Sequence, residues 1–274
     1  MLALILVSLA GAIAIAWIVS GRWRSSRRRA AVAARPFPKA WRAILKRRLP
    51  LYQTLPPHLQ LQLKRHIQVF LSEKQFIGCG GLEITDEIRV AIAAQACLLL
   101  LNRKTDFYPG LRQILVYPDA FYVDREHRDD IGLVSEQRHL LAGESWQQGQ
   151  VLLSWQTLLN DANAPGSGHN LVIHEFAHQL DQEDGIADGA PLLSSITDYP
   201  SWSAVLSEEY AALRRCAAEG FPSLFDYYGA SNPAEFFAVV SEAFFTRAAE
   251  FKLLHPALYH ELERFYQLDP ASWQ

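Results

Sequence analysis

The first 72 residues of this 274-residue chain contain no Asp or Glu; the first acid is Glu73. The same stretch holds 13 of the 26 Lys and Arg. The rest of the chain therefore carries 13 basic against 29 acidic groups, a net of −16. A body so acidic repels duplex phosphate, which excludes nucleic-acid binding by bulk electrostatics. Cysteine is scarce: Cys79, Cys97 and Cys216 cannot form a disulfide framework, and they suit a reducing compartment or core packing. Gly and Pro, 15 and 14 residues, are too few for a collagen-like or low-complexity chain. No internal repeat is present. What remains is 50% hydrophobic and 20% charged, enough for one large globular domain or two small ones.

Residues 2–20 carry no charge and read LALILVSLAGAIAIAWIVS. As a helix they would span about 28 Å, close to the roughly 30 Å hydrocarbon core of a bilayer. Arg22, Arg24, Arg27, Arg28 and Arg29 follow at once, and no basic residue precedes the run. That order is the reverse of a cleavable signal peptide. It predicts one N-terminal transmembrane helix over 1–21, with the Arg cluster on the cytoplasmic side. Residues 22–48 hold 11 basic groups suited to anionic headgroups, with 22–35 a juxtamembrane linker. Basic and aromatic residues do not interleave there as a nucleic-acid motif would, so no direct nucleic-acid partner is expected.

The soluble domain is expected to cover 36–274. Pro56-Pro57 opens a helix to about Phe76, with Leu59, Leu63, Ile67, Phe70 and Leu71 on one stripe. Thr85 caps a nearly all-apolar helix over 86–101. Residues 112–124, interrupted at Pro118, and 150–154 read as strands. Helices are expected at about 169–181, 201–218, 233–248 and 256–267. Between the first two, residues 182–200 form a long loop of the kind that gates a site. The fold class is α+β, helix-dominated, with a small sheet.

His174-Glu175-Phe176-Ala177-His178 is HExxH, within a helix whose apolar side is Leu171, Ile173, Phe176, Ala177 and Leu180. Histidines four apart project from one helix face and can hold one Zn²⁺ at about 2.0–2.1 Å each. Glu175 is placed to take a proton from a water at the metal. Composition alone gives this pattern roughly 0.02 times per chain. The competing reading is a pair of satisfied, partly buried histidines.

A catalytic zinc needs a third protein ligand. The HExxHxxGxxH pattern fails, because Asp181 stands for its Gly and Asp184 for its third His. Asp184 is a minor candidate. The stronger one is Glu235 in Asn232-Pro233-Ala234-Glu235-Phe236-Phe237, 57 residues after His178. The same residues spell a capping box in which Glu235 only bonds the Asn232 amide. On the residues alone the two readings are evenly matched. Glu242, seven residues on, lies on roughly the same face, as a partner of a zinc-bound His or a ligand itself.

HEFAHQLD at 174–181, YGASNPAEFFAVVSEAFF at 228–245 and DIGLVSEQRHLLAGESWQQGQVLLSW at 130–155 resemble the Mlc titration factor A family of bacterial zinc metallopeptidases. The HEFxH and Tyr…NxAEFFA pairing also resembles the catalytic domain of anthrax lethal factor. The resemblance spans about residues 36–270. It implies a zincin-like metallopeptidase domain with Zn²⁺ held by His174, His178 and Glu235, and so decides between the two readings of Glu235. It implies Glu175 as general base and Tyr228, rather than its neighbour Tyr227, as a donor to the oxyanion. It further implies peptide or protein substrates, including aminopeptidase-type cleavage, and a second role in sequestering a transcriptional repressor such as Mlc. With the N-terminal segment, the expectation is a single-pass protein of the bacterial inner membrane, its catalytic domain cytoplasmic.

Overall fold

The computed structural model describes residues 23–104, 106–128, 134–141, 143–146, 149–164 and 166–273, with 11, 20 and 21; for 121–148 it describes the backbone alone. The expected membrane span, 1–21, thus lies almost wholly outside the described residues. Among those described, no helix is long and apolar enough to cross a membrane.

Residues 23–33, within the stretch read as a linker, are helical. They are tied to the body where Arg29 pairs with Glu73 at 2.7 Å and with Asp106 at 2.6 Å. Helix α1 (Lys39–Arg48) and helix α2 (Pro57–Glu73) follow. Pro57 starts α2, where its missing N–H costs nothing, and Leu59, Leu63, Ile67, Phe70 and Leu71 form its buried stripe. The helix ends three residues before the expected Phe76. Lys74 is extended, and its buried ammonium donates to the Tyr108 and Leu111 carbonyls at 2.7 Å each. Gln75–Gly78 then forms strand β1. Gly78 is required there, since a Cβ would lie 1.8 Å from the Leu82 carbonyl oxygen.

Helix α3 (Asp86–Leu98) is the central core helix. Thr85 Oγ1 accepts the Ile88 N–H at 3.3 Å, Asp86 and Glu87 face the positive end of the dipole, and Val90 through Leu98 are all buried. Its alanines admit α1, α2 and the HExxH helix to close range.

The strand expected over 112–124 is two strands in two sheets. Strand β2 (Gln113–Tyr117) ends before Pro118, and β3 (Phe121–Arg128) pairs antiparallel with β4 (Val134–Leu141), with Asp124 opposite Arg138. Strands β5 (Gly143–Trp146) and β6 (Gln150–Ser154) complete a four-stranded sheet of order β1-β2-β6-β5. The first three strands are parallel, with Ile77 opposite Leu115 and Leu115 opposite Leu152. Strand β5 is the antiparallel edge.

Helix α4 (Trp155–Asn163) leads through a loop into α5 (Leu171–Asp181), the HExxH helix. Then come α6 (Tyr199–Glu219), α7 (Pro233–Thr246), α8 (Ala248–Leu254) and α9 (Pro256–Tyr266). Helix α7 stops two residues short of the expected end, and α8 is a separate turn of chain. Helix α5 is wedged between the β5 and β6 side of the sheet and α7. Phe176 anchors it, 5.8 Å from Phe70 and 4.9 Å from Tyr108, ring centre to ring centre. Truncating so buried an aromatic costs about 3–5 kcal/mol. The architecture is α+β, helix-dominated, with a small sheet.

Candidate metal centre

Asn170 caps α5 by accepting the Ile173 N–H on its Oδ1 at 3.0 Å, and every residue from Val172 to Asp181 is buried. His174 and His178 therefore leave the helix from a rigid stretch, each 9% exposed, with their Nε2 atoms turned toward each other. Helix α7 delivers the third group. Asn232 Oδ1 accepts the Glu235 N–H at 3.0 Å, so one half of the capping box is present. The Glu235 side chain does not turn back on the Asn232 amide. Its Oε2 lies 3.0 Å from His174 Nε2 and 3.2 Å from His178 Nε2, and the two Nε2 atoms are 3.2 Å apart. The reading in which the Glu235 side chain only bonds the Asn232 amide therefore fails, and what remains of the capping box is the Asn232 bond to the Glu235 N–H.

These three atoms are the one such grouping with metal-binding geometry among the described residues. Tetrahedral coordination at about 2.0–2.1 Å spaces neighbouring ligand atoms by about 3.3–3.4 Å, close to the triangle observed. The proton arrangement fits as well. His174 Nδ1 is 2.8 Å from Glu242 Oε1, whose other oxygen accepts the Asn170 N–H. A neutral His174 donating from Nδ1 presents its Nε2 lone pair to the Glu235 oxygen, an arrangement a cation between them relieves. Two imidazoles and a carboxylate form a donor set suited to zinc.

The local electrostatics respond to the same crowding. Burial works against a charged His174, but the hydrogen bonds to Glu235 and Glu242, and the charges of Glu242 and Glu175, outweigh it and hold its pKa well above the ordinary value. Burial raises the Glu235 carboxyl, yet its contacts with His174 and His178 prevail and hold it below the usual carboxylate range.

Glu175 is buried on α5, 4% exposed. Tyr228 sits in the single turn Tyr227–Ala230, its amide held by Asp226 Oδ1 at 2.6 Å and its ring centre 5.9 Å from that of His174. Neighbouring Tyr227 spends its hydroxyl on the Phe221 carbonyl. Asp184 lies in the turn after α5, where it accepts the Ile186 N–H at 3.0 Å, and it is not one of the three converging groups. Glu242 holds His174 and does not converge with the three.

The sequence of residues 22–267 matches the model of the glucose-regulated metallo-peptidase M90 family. The chain belongs to that family. It is 44% identical to an uncharacterised protein of Synechocystis sp., over 98% of this chain and 97% of the other. It is 38% identical to Mlc titration factor A of Klebsiella pneumoniae and 37% identical to that of Escherichia coli, each over 82% of this chain and 84% of the relative. M90 membership supplies the coarse function: a metallopeptidase, hence a hydrolase with a metal cofactor and peptide substrates.

Two groups around the site were not legible as such in the sequence. Asp161, on α4, accepts the Leu171 N–H at 2.8 Å and fixes the start of α5. Asp181, at its end, is wholly buried; Oδ2 accepts the Gly189 N–H at 2.9 Å, while Oδ1 has no hydrogen-bond partner among the described residues. Its place in HEFAHQLD, one turn after His178, was the available signal.

Proposed function

We propose that this M90 protein is a zinc-dependent peptidase with His174, His178 and Glu235 as the metal ligands. The convergence of their three ligand atoms within 3.0–3.2 Å, with His174 oriented by Glu242, carries the reading. Zinc held there would supply a Lewis acid that polarises the scissile carbonyl. Glu175 is the general base: it takes a proton from the attacking water and returns it to the leaving amine. Tyr228 donates a hydrogen bond to the oxyanion as the carbonyl carbon becomes tetrahedral. Strand β5, the outer strand of its sheet among the described residues and beside α5, suits a substrate laid down as an extended strand. Aminopeptidase-type cleavage of short peptides is the activity we assign first, on the resemblance of the motifs. The Glu175→Gln protein should keep its zinc and lose hydrolysis of a peptide library by about 10³-fold or more. Unchanged hydrolysis in that variant would overturn the assignment.

The residues 2–20 and the Arg cluster support a single-pass anchor in a bacterial inner membrane, with the catalytic domain cytoplasmic and anionic lipids around the Arg residues. The relatives named Mlc titration factor A favour a second reading, in which the chain sequesters a transcriptional repressor. Retention of a purified repressor by the Glu175→Gln protein would support it, and no retention would count against it.

A further inference from the structure

A cavity of about 280 Å³ lies against α5, walled by Leu49, Leu98, Ile173 and Phe245. It is distinct from the metal centre, since none of His174, His178 or Glu235 lines it. Two polar groups interrupt the apolar wall. Gln95 is 4% exposed, and its side-chain amide makes one long bond, 3.4 Å, to the carbonyl of Ala91 one turn back on α3. Among the described residues its Oε1 accepts no hydrogen bond, and the side chain lines the cavity, where a donor can reach it. Asp161 gives Oδ2 to the Leu171 N–H, and its Oδ1 accepts no hydrogen bond from the described residues. The basic groups on the lining are committed elsewhere. Arg48 pairs with Glu87 at 2.6 Å, and His169 lies 3.5 Å from Asp226. Among the described lining residues Asp161 is the carboxylate, with one oxygen still open, and Gln95 adds an amide oxygen to the same cavity wall.

We propose that this cavity is a binding site for a small primary amine with a compact apolar body. The ammonium would donate to Asp161 Oδ1 and Gln95 Oε1, and the hydrocarbon part would fill the space between Leu49, Leu98, Ile173 and Phe245. Charge-assisted donation to a carboxylate and an otherwise unanswered amide oxygen selects the amine over a neutral isostere. The site stands whether or not the metal centre hydrolyses peptides, because no ligand of the metal takes part in it.

The test is a titration of the full chain, selectively ¹³C-labelled at isoleucine δ1 methyls, with phenethylamine and with phenethyl alcohol as its neutral counterpart. The Ile173 methyl should shift saturably, with the amine binding about tenfold more tightly than the alcohol. Asp161→Asn should remove that preference, weakening the amine about tenfold and the alcohol little. Ala162→Trp, placed on α4 at the lining, should abolish the shift. No saturable shift at Ile173, or equal binding of amine and alcohol by the native protein, would overturn the proposal, and the Asn variant keeps the test decisive should the Trp variant fold poorly.

Discussion

Asp181 shows what a single buried carboxyl does to this fold. Burial, ahead of its other contacts, raises its pKa to about 6. An unfolded aspartate titrates near 3.9. Between those values the folded chain keeps a proton that the unfolded chain has released, so stability falls as pH rises from about 4 to about 6 and levels off above. The shift corresponds to about 3 kcal/mol across that window. Denaturant unfolding of the native protein and of Asp181→Asn should show a stability difference that moves toward the variant between pH 4 and 7. A difference independent of pH would mean that Asp181 is ionised throughout. The histidines were legible because a spacing of four has one meaning on a helix. Glu235 was ambiguous for a physical reason: its backbone and its side chain do different work, and a cap signature reports only the first. Asp181 was illegible because burial is a property of the packed molecule.

At the scale of elements, the start of α7 decides where Glu235 sits. Asn232 caps it, and the loop before α6 is packed onto it through Gly189. Gly189 has φ +79°, its carbonyl accepts the Trp202 indole N–H at 3.1 Å, and a Cβ there would lie 2.5 Å from the Pro233 carbonyl oxygen. Asn232→Ala should cost about 1 kcal/mol, the worth of a cap, and lower Tm by about 2–4 °C. Gly189→Ala should cost more, because it adds a left-handed strain and a backbone collision. Thermal unfolding of both variants checks the order, and a harmless Gly189→Ala would show that the loop does not brace α7. The helices were largely readable from their own apolar stripes. The end of α2 was not: Phe76 and Ile77 continue the apolar run, and what makes them strand is β2, paired in register 38 residues away. Strands β3, β4 and β5 have the same origin, in partners that local periodicity does not contain.

For the whole molecule, the division of charge is the dominant feature. All 13 basic residues before Glu73 lie on the piece that begins with the uncharged stretch, and the acidic excess lies in the body that carries the metal centre. The two parts meet where Arg29 reaches Glu73 and Asp106. On the anchored reading, the full chain should stay with the membrane fraction after a wash at about 1 M salt, which screens headgroup attraction beyond about 3 Å. A chain lacking residues 1–21 should be released by the same wash, and retention of the shortened chain would assign membrane binding to the basic helix instead. Fold class and the separation of a basic piece from an acidic body followed from composition and pattern. The division of the strands between two sheets followed from pairing alone.

On the proposed ligand set, the third ligand arrives late. Glu235 lies 61 residues beyond His174 along the chain. At about 5–20 residues per second, a ribosome needs roughly 3–12 s to travel that distance. Throughout that interval the histidines of α5 have been made and their carboxylate partner has not. A growing or prematurely terminated chain therefore holds two of the three proposed ligands, which is too few for a tight metal site. On the proposed ligand set, the cutting chemistry is withheld from the translation machinery and from other nascent chains until Glu235 has been synthesised.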